Sequence, residues 1–226
     1  MQRKSSLSLL IALVAILTAA CTAPWNVIDP RDKAEDPTVV VHTEQGDELG
    51  VSTDYGVVFL GRGAKGGTVE FTSWFGDGPS REEGIVEAIG GGIFATEAEI
   101  QIPSVPIVFT EPNPGTDVVV RGRRNGQLWE IEARVASDPS VQGLLLEPTK
   151  GLLALSPEEL GAGIFWSDPK DRPLLLGLVT GTVQLSGEGG TREYVTALGP
   201  RDLWRLVVQR RNSDRPRRWV YREDIR

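Results

Sequence analysis

Short runs of apolar residues, separated by Gly, Pro and Asn, recur at regular intervals between residues 38 and 199. In Trp129–Val135, four apolar residues alternate with three charged ones, which is the pattern of a half-buried strand. The Asn125-Gly126 pair before this run favours a tight type I′ hairpin turn, because both residues tolerate a positive φ. Many short strands with turn signals between them predict an all-β barrel or sandwich.

A proline-rich stretch divides these runs into about six before it and six after it. Proline is excluded from central strands, so we interpret this stretch as a crossing segment between two groups of strands. Its four prolines are Pro103, Pro106, Pro112 and Pro114.

The end of the chain has a different pattern. After Pro200, the residues Leu203, Leu206 and Val207 have helical spacing, which predicts a helix, although the β-branched Val207-Val208 pair also fits a strand. Residues 200–226 contain nine Arg against four Asp or Glu. We therefore predict a C-terminal helix and basic tail over 200–226, with the tail against the acidic body or, as the alternative, against anionic lipid headgroups.

The first 20 residues have the features of a signal peptide. Arg3 and Lys4 precede the apolar segment Leu7–Leu17, which is too short to span a bilayer. The following Thr18-Ala19-Ala20-Cys21 resembles the lipobox of bacterial lipoproteins, with Thr18 at a position that is usually Leu.

That resemblance implies cleavage before Cys21, a diacylglycerol thioether on its sulfur and an acyl chain, such as palmitate, on its new amine. Several acyl chains give a stable membrane anchor. In enteric bacteria an Asp after the cysteine favours retention in the inner membrane. Thr22 stands there instead, so in a Gram-negative host we expect the outer membrane, with the protein facing the periplasm or the exterior. In the lipoprotein, residues 21–37 would form a tether between the lipid and the body. The alternative is an ordinary secretory peptide.

The composition excludes several classes of function. With one Cys and one His, the chain has no internal disulfide, and a zinc site is not expected. The net charge of −7 argues against nucleic-acid binding. We expect no metal and no cofactor.

Three segments of the body are similar to those of the chymotrypsin/trypsin-like serine proteases. Pro112–Gly122 resembles the family's entry into its second barrel, Leu160–Trp166 resembles the nucleophile loop, and Leu174–Gly181 resembles the strand after it. The resemblance implies two six-stranded antiparallel β-barrels, here over 38–110 and 111–199, closed by the C-terminal helix.

The same resemblance implies that the catalytic triad is degenerate. Leu160 stands at the position of the family's nucleophilic serine, Phe75 at that of the histidine and Glu97 at that of the orienting acid. Acyl transfer needs a nucleophile with a base in hydrogen-bond reach. We therefore expect no hydrolysis by the family's mechanism and no catalytic residue at these positions.

The only imidazole, His42, lies in the first apolar run, far from the family's base position. We interpret it as a strand histidine that is hydrogen-bonded or solvated. A replacement nucleophile such as Ser73, Ser104 or Ser156 would have to lie beside it, and nothing in the sequence indicates that.

The leading hypothesis is a non-catalytic binding or scaffold module in the bacterial envelope, attached to the membrane through lipid on Cys21. The resemblance places Trp74, Phe75 and Trp166 near the cleft between the barrels, where they would anchor an extended peptide or an envelope protein; alternatively, they pack the barrel cores. Two other functions remain open: a hydrolase with an unrecognised active site, and a structural β-sandwich lipoprotein.

Overall fold

The computed structural model describes residues 26–27, 36–75, 78–96, 104–150, 155–166, 173–187 and 190–209. A two-residue strand, β1 (Asn26–Val27), comes before the first group of six strands. These six are β2 (Thr38–Thr43), β3 (Gly46–Thr53), β4 (Gly56–Leu60), β5 (Gly67–Phe75), β6 (Gly78–Gly90) and β7 (Ile93–Thr96).

Strands β2–β7 form a closed barrel in the order β2-β3-β4-β7-β6-β5, and β5 returns to pair with β2. Every pairing is antiparallel. Alternate residues of each strand point inward, so that side chains such as Val41, Phe59 and Phe71 fill the barrel.

The second group of six strands repeats this arrangement. It comprises β8 (Asp117–Arg124), β9 (Gln127–Ala136), β10 (Leu144–Pro148), β11 (Gly163–Trp166), β12 (Leu175–Gly187) and β13 (Gly190–Leu198). Their order is β8-β9-β10-β13-β12-β11, and β11 pairs with β8 to close the ring. The predicted fold class of two six-stranded antiparallel barrels is confirmed, and the β-sandwich alternative is wrong because both groups close.

The β8–β9 hairpin has the predicted turn. Asn125 has a φ of 52° and Gly126 a φ of 79°, as a type I′ turn requires. In β9, Trp129, Ile131 and the next two alternate residues are buried in the second barrel.

The sequence pattern missed β3. Positions 48 to 53 of this strand are all buried, because one face lines the first barrel and the other faces the second. Leu49 packs in the core cluster of the second barrel. Leu49 and Val51 are the only apolar side chains of this strand, and the buried positions around them are Glu48, Gly50, Ser52 and Thr53, so the strand lacks the apolar run that marks its neighbours.

The proline-rich stretch links the barrels without forming a strand of its own. Val105 makes an isolated bridge to Thr53 of the first barrel, and Ile107 makes one to Leu175 of the second. Two of the apolar runs, over 97–102 and 105–110, adjoin this stretch. The run over 105–110 is a connection rather than a strand, and the run over 97–102 lies outside the described part of the chain.

The predicted C-terminal helix is present but short. Helix α1 (Pro200–Trp204) continues into a π-helical turn, Arg205–Gln209. Leu203 and Val207 are buried in a cluster that contains residues of both barrels. No helix among the described residues has the length and apolar character needed to cross a bilayer.

Parts of the segment predicted as a tether belong to the body. Asn26 and Val27 pair with Glu130 and Trp129, on the edge of β9 that β10 leaves uncovered. Asp36 is buried as well. Cys21 and residues 28–35 lie outside the described part of the chain.

Candidate binding groove between the barrels

A groove of about 920 Å³ lies where the two barrels meet. The first barrel contributes the outward faces of β2, β3 and β5 and the turn Gly61–Gly63. The second contributes the tip of the β8–β9 hairpin and the turn Pro157–Glu159. The groove is therefore built by segments far apart in the sequence. Its charged lining residues are His42, Asp47, Glu48, Arg62, Arg81, Arg123, Arg124, Glu158 and Glu159.

One side of the groove is fixed by a buried ion pair between Arg123 and Asp36, whose side chains are 4% and 0% exposed. Arg123 Nη2 donates to Asp36 Oδ2 over 2.6 Å, Nε donates to Thr38 Oγ1 over 3.1 Å, and Nη1 donates to the Gly126 carbonyl over 2.9 Å. The guanidinium also stacks on Trp74, 4.1 Å from the ring centroid. Burial lowers the pKa of Arg123, and the charge of Asp36 opposes that shift.

A second buried carboxylate, that of Glu48, holds the turn Gly61–Gly63. Its Oε1 accepts a hydrogen bond from the Gly63 amide over 2.6 Å and its Oε2 one from the Arg62 amide over 3.2 Å. The turn thereby directs the Arg62 side chain across the groove, where Nη1 donates to the Pro157 carbonyl over 2.5 Å. This contact joins the first barrel to the second.

A third buried carboxylate, that of Glu159, holds the loop before Leu160. Its Oε2 accepts the Ser156 amide over 2.7 Å, and its Oε1 forms an ion pair with Arg124 Nη2. Gly161, with a φ of 93°, follows directly. A Cβ there would lie 2.4 Å from the Leu49 carbonyl, so this position requires glycine.

Leu160 itself is partly buried and packs against the core of the second barrel. A hydrocarbon side chain in this position offers no nucleophilic atom and no hydrogen-bonding group. What approaches this loop from the first barrel is Leu49 and Arg62.

His42 lies on the wall of the groove between two hydrogen-bond partners. Its Nδ1 is 2.7 Å from Asp47 Oδ1 and its Nε2 is 2.7 Å from Thr72 Oγ1. The imidazole is therefore hydrogen-bonded, and its hydroxyl partner is Thr72 rather than Ser73, Ser104 or Ser156.

Asp47, His42 and Thr72 thus place a carboxylate, an imidazole and a hydroxyl in the order of a catalytic triad, in which the first two groups activate the hydroxyl as a nucleophile. Thr72, however, is only 7% exposed in the middle of β5, which leaves little surface by which a substrate carbonyl could approach Oγ1. The geometry favours a structural link between β2, β3 and β5. Among the described residues, no group of three or more His, Cys, Asp or Glu could hold a metal ion.

Of the three aromatic residues proposed as partner anchors, the structure places one in the groove. Trp74 lines the groove, whereas Trp166, 37% exposed at the end of β11, does not. The backbone of Phe75 pairs with Gly78 at the end of β5, and its side chain is among those the structure does not describe. Glu97 also lies outside the described residues, so the assignments of Phe75 and Glu97 to triad positions stay predictions.

Sequence reasoning missed the arginines of the groove. No role was assigned to Arg62, which stands between two glycines, or to Arg123 and Arg124, which lie between two of the apolar runs. The available signal was the charge of Arg123-Arg124 directly before the Asn125-Gly126 turn, which places two cations at the tip of a hairpin.

Comparison with known proteins shows the fold. The chain is similar to Kallikrein-related peptidase 10, with a TM-score of 0.57 and 11% identity over 80% of this chain and 98% of that one. It is also similar to an inactive serine-to-alanine mutant of Rv3671c from M. tuberculosis H37Rv, with a TM-score of 0.50 and 14% identity over 80% of this chain and 89% of that one. No family model and no curated protein matches the sequence. The fold is thus that of the chymotrypsin/trypsin-like serine proteases.

Proposed function

We propose that this protein is a non-catalytic binding module that uses the groove between its barrels to hold an extended polypeptide. The observation that carries the proposal is the loop before β11, where the partly buried Leu160 packs against the core of the second barrel and Glu159 is paired with Arg124. Where the resemblance expects a nucleophile, the chain has a hydrocarbon side chain beside a structural ion pair. The open groove next to it remains available for a ligand.

The contacts favour binding over hydrolysis. Trp74 presents an aromatic surface in the groove, and Arg123 fixes the ring by stacking on it. A rigid aromatic side chain in a concave site is a common anchor for a partner.

The proposal is tested by measuring turnover and labelling of the full chain. We expect no hydrolysis of casein or peptide esters and no labelling by a fluorophosphonate. Labelling that disappears on mutation of one hydroxyl residue would overturn it. For the hydrolase alternative, Thr72→Val and His42→Ala are the decisive variants, because loss of an activity without loss of folding in both would assign the reaction to that pair.

The location in the envelope is part of the same proposal and rests on the sequence around Cys21. Lipid on Cys21 would hold the protein in the outer membrane, facing the periplasm or the exterior. In cells given radiolabelled palmitate, we expect the label in the wild-type protein and none in Cys21→Ser, with the wild type in the outer-membrane fraction. A wild-type protein without label, released in soluble form, would contradict this part and leave the groove unaffected.

A further inference from the structure

We infer that the groove recognises a carboxylate on its peptide ligand, through Arg62 of the first barrel and Arg124 of the second. This inference rests on the proposed function and adds the chemistry of the ligand. It follows from the positions of the two guanidinium groups and from the buried carboxylates of Glu48 and Glu159 beside them.

The two arginines approach one short turn from opposite barrels. Arg62 Nη1 donates to the carbonyl of Pro157 over 2.5 Å, and Arg124 is paired with the carboxylate of Glu159 two residues later. Both guanidinium groups therefore flank the turn Pro157–Glu159 at the wall of the groove.

Their exposure differs from that of their counterions. The side chains of Arg62 and Arg124 are 37% and 38% exposed, whereas those of Glu48 and Glu159 are 5% and 1% exposed. The negative charges thus lie behind the arginines, and a ligand in the groove meets the guanidinium groups first. Glu159 is paired with the guanidinium of Arg124, and Glu48 holds the backbone of the turn that carries Arg62. Both arginines are therefore positioned before any ligand arrives, which lowers the cost of binding.

A guanidinium group matches a carboxylate in shape and charge. It has five N–H donors in a plane, and two parallel N–H groups can donate to the two oxygens of one carboxylate. Two exposed acids also line the groove. Asp47 is hydrogen-bonded to His42, whereas Glu158 lies in the turn that both arginines flank, so a ligand carboxylate would compete with Glu158 for the guanidinium groups.

The rest of the groove fits an extended chain rather than a free anion. Val40, Leu49, Trp74 and Pro79 also line the groove, and they offer apolar surface for neighbouring side chains of a ligand. An extended peptide advances about 3.3 Å per residue with side chains on alternating sides, so it can place one carboxylate at the arginines and an apolar residue against Trp74.

The test is a selection of randomised decapeptides against the full chain, followed by fluorescence anisotropy with an enriched peptide. We expect enrichment of Asp or Glu at one position, or a requirement for a free C-terminus. Replacing that acid by its amide, or amidating the C-terminus, then tells a side-chain carboxylate from a terminal one, and the matching change weakens binding about tenfold or more.

Three variants assign the effect to the arginines. Arg62→Gln keeps the backbone amide that binds Glu48, and Arg124→Gln combined with Glu159→Gln removes the guanidinium without leaving a buried charge. Both are expected to bind the acidic peptide at least tenfold more weakly and to bind its amide analogue as the wild type does. Arg192→Gln is the control, because Arg192 is an exposed arginine paired with Glu147 outside the groove.

The outcomes separate this inference from the proposed function. Enriched peptides that have no acidic group, or an acidic peptide that binds Arg62→Gln with unchanged affinity, would overturn the inference while the groove remains a binding site. A selection that enriches no peptide at all would contradict the proposed function and the inference together.

Discussion

The arginines at the two sides of the groove are held in opposite ways. Arg123 is buried together with its counterion Asp36, and its three nitrogen atoms are occupied by Asp36, Thr38 and Gly126. Its remaining surface is covered by Trp74. This arginine is a structural joint between the start of the first barrel and the hairpin of the second.

Arg62 and Arg124 differ because only their counterions are buried. Glu48 and Glu159 take hydrogen bonds from backbone amides and form ion pairs with the arginines, so the carboxylates hold the loops while the guanidinium groups are partly exposed. An ion pair of the same chemistry is thus enclosed in the structure when both members are buried, and has its guanidinium group exposed at the groove wall when only the acid is buried.

Removing Arg123 is expected to have the largest effect. In Arg123→Met the carboxylate of Asp36 stays buried without its cation, and breaking a buried pair in this way costs about 3–5 kcal/mol in the free energy of unfolding. Urea denaturation of wild type and variant measures this loss. Arg123→Gln combined with Asp36→Asn is the control and should recover most of the lost stability. An Arg123→Met variant as stable as wild type would show that this ion pair does not stabilise the contact between the barrels.

Arg124→Gln is expected to lower the free energy of unfolding by about 3 kcal/mol, because Glu159 loses its cation in a buried position. The loss is smaller than for Arg123 because Arg124 is partly exposed, so water can reach the loop. The same denaturation experiment checks it. Adding Glu159→Gln should restore stability, since a neutral amide still accepts the Ser156 amide. Arg192→Gln is the matched change at the exposed pair of Arg192 and Glu147. If Arg124→Gln loses less stability than Arg192→Gln, the buried carboxylate of Glu159 has another source of stabilisation.

A side chain at Gly161, directly after Leu160, is expected to lower the stability of the fold. Alanine there combines a φ of 93° with a Cβ only 2.4 Å from the Leu49 carbonyl, and strain of this kind costs about 2 kcal/mol. Gly187→Ala is the matched control, because a Cβ at Gly187 meets nothing within 4 Å. Equal thermal midpoints for the two variants would mean that the loop and Leu49 separate at little cost.

These sites also show how far the sequence could predict the molecule. Strand β9 and the Asn125-Gly126 turn were readable because their signals are local: an alternation of period two and two residues that accept a positive φ. Strand β3 was not readable, because Leu49 and Val51 are its only apolar side chains and its other buried positions hold Glu, Gly, Ser and Thr. Arg62 meets Pro157 only after both barrels have closed and packed, and no spacing in the sequence encodes that contact.

The smallest expected effect concerns a carboxylate held without any arginine. Asp138, on the connection from β9 to β10, accepts hydrogen bonds from the Ser140 hydroxyl over 2.5 Å and the Ser140 amide over 2.8 Å, and these lower its pKa. A lowered pKa in the folded state contributes stability above the unfolded-state pKa, and this contribution is lost as the pH falls through the folded-state value. Ser140→Ala removes the hydroxyl and should raise the pKa of Asp138 toward its ordinary value, as followed by NMR titration of its side-chain carbon. The stability at neutral pH should change far less than in Arg124→Gln, because Asp138 remains hydrated in either protonation state. An unchanged pKa in Ser140→Ala would show that the Ser140 amide alone holds this carboxylate.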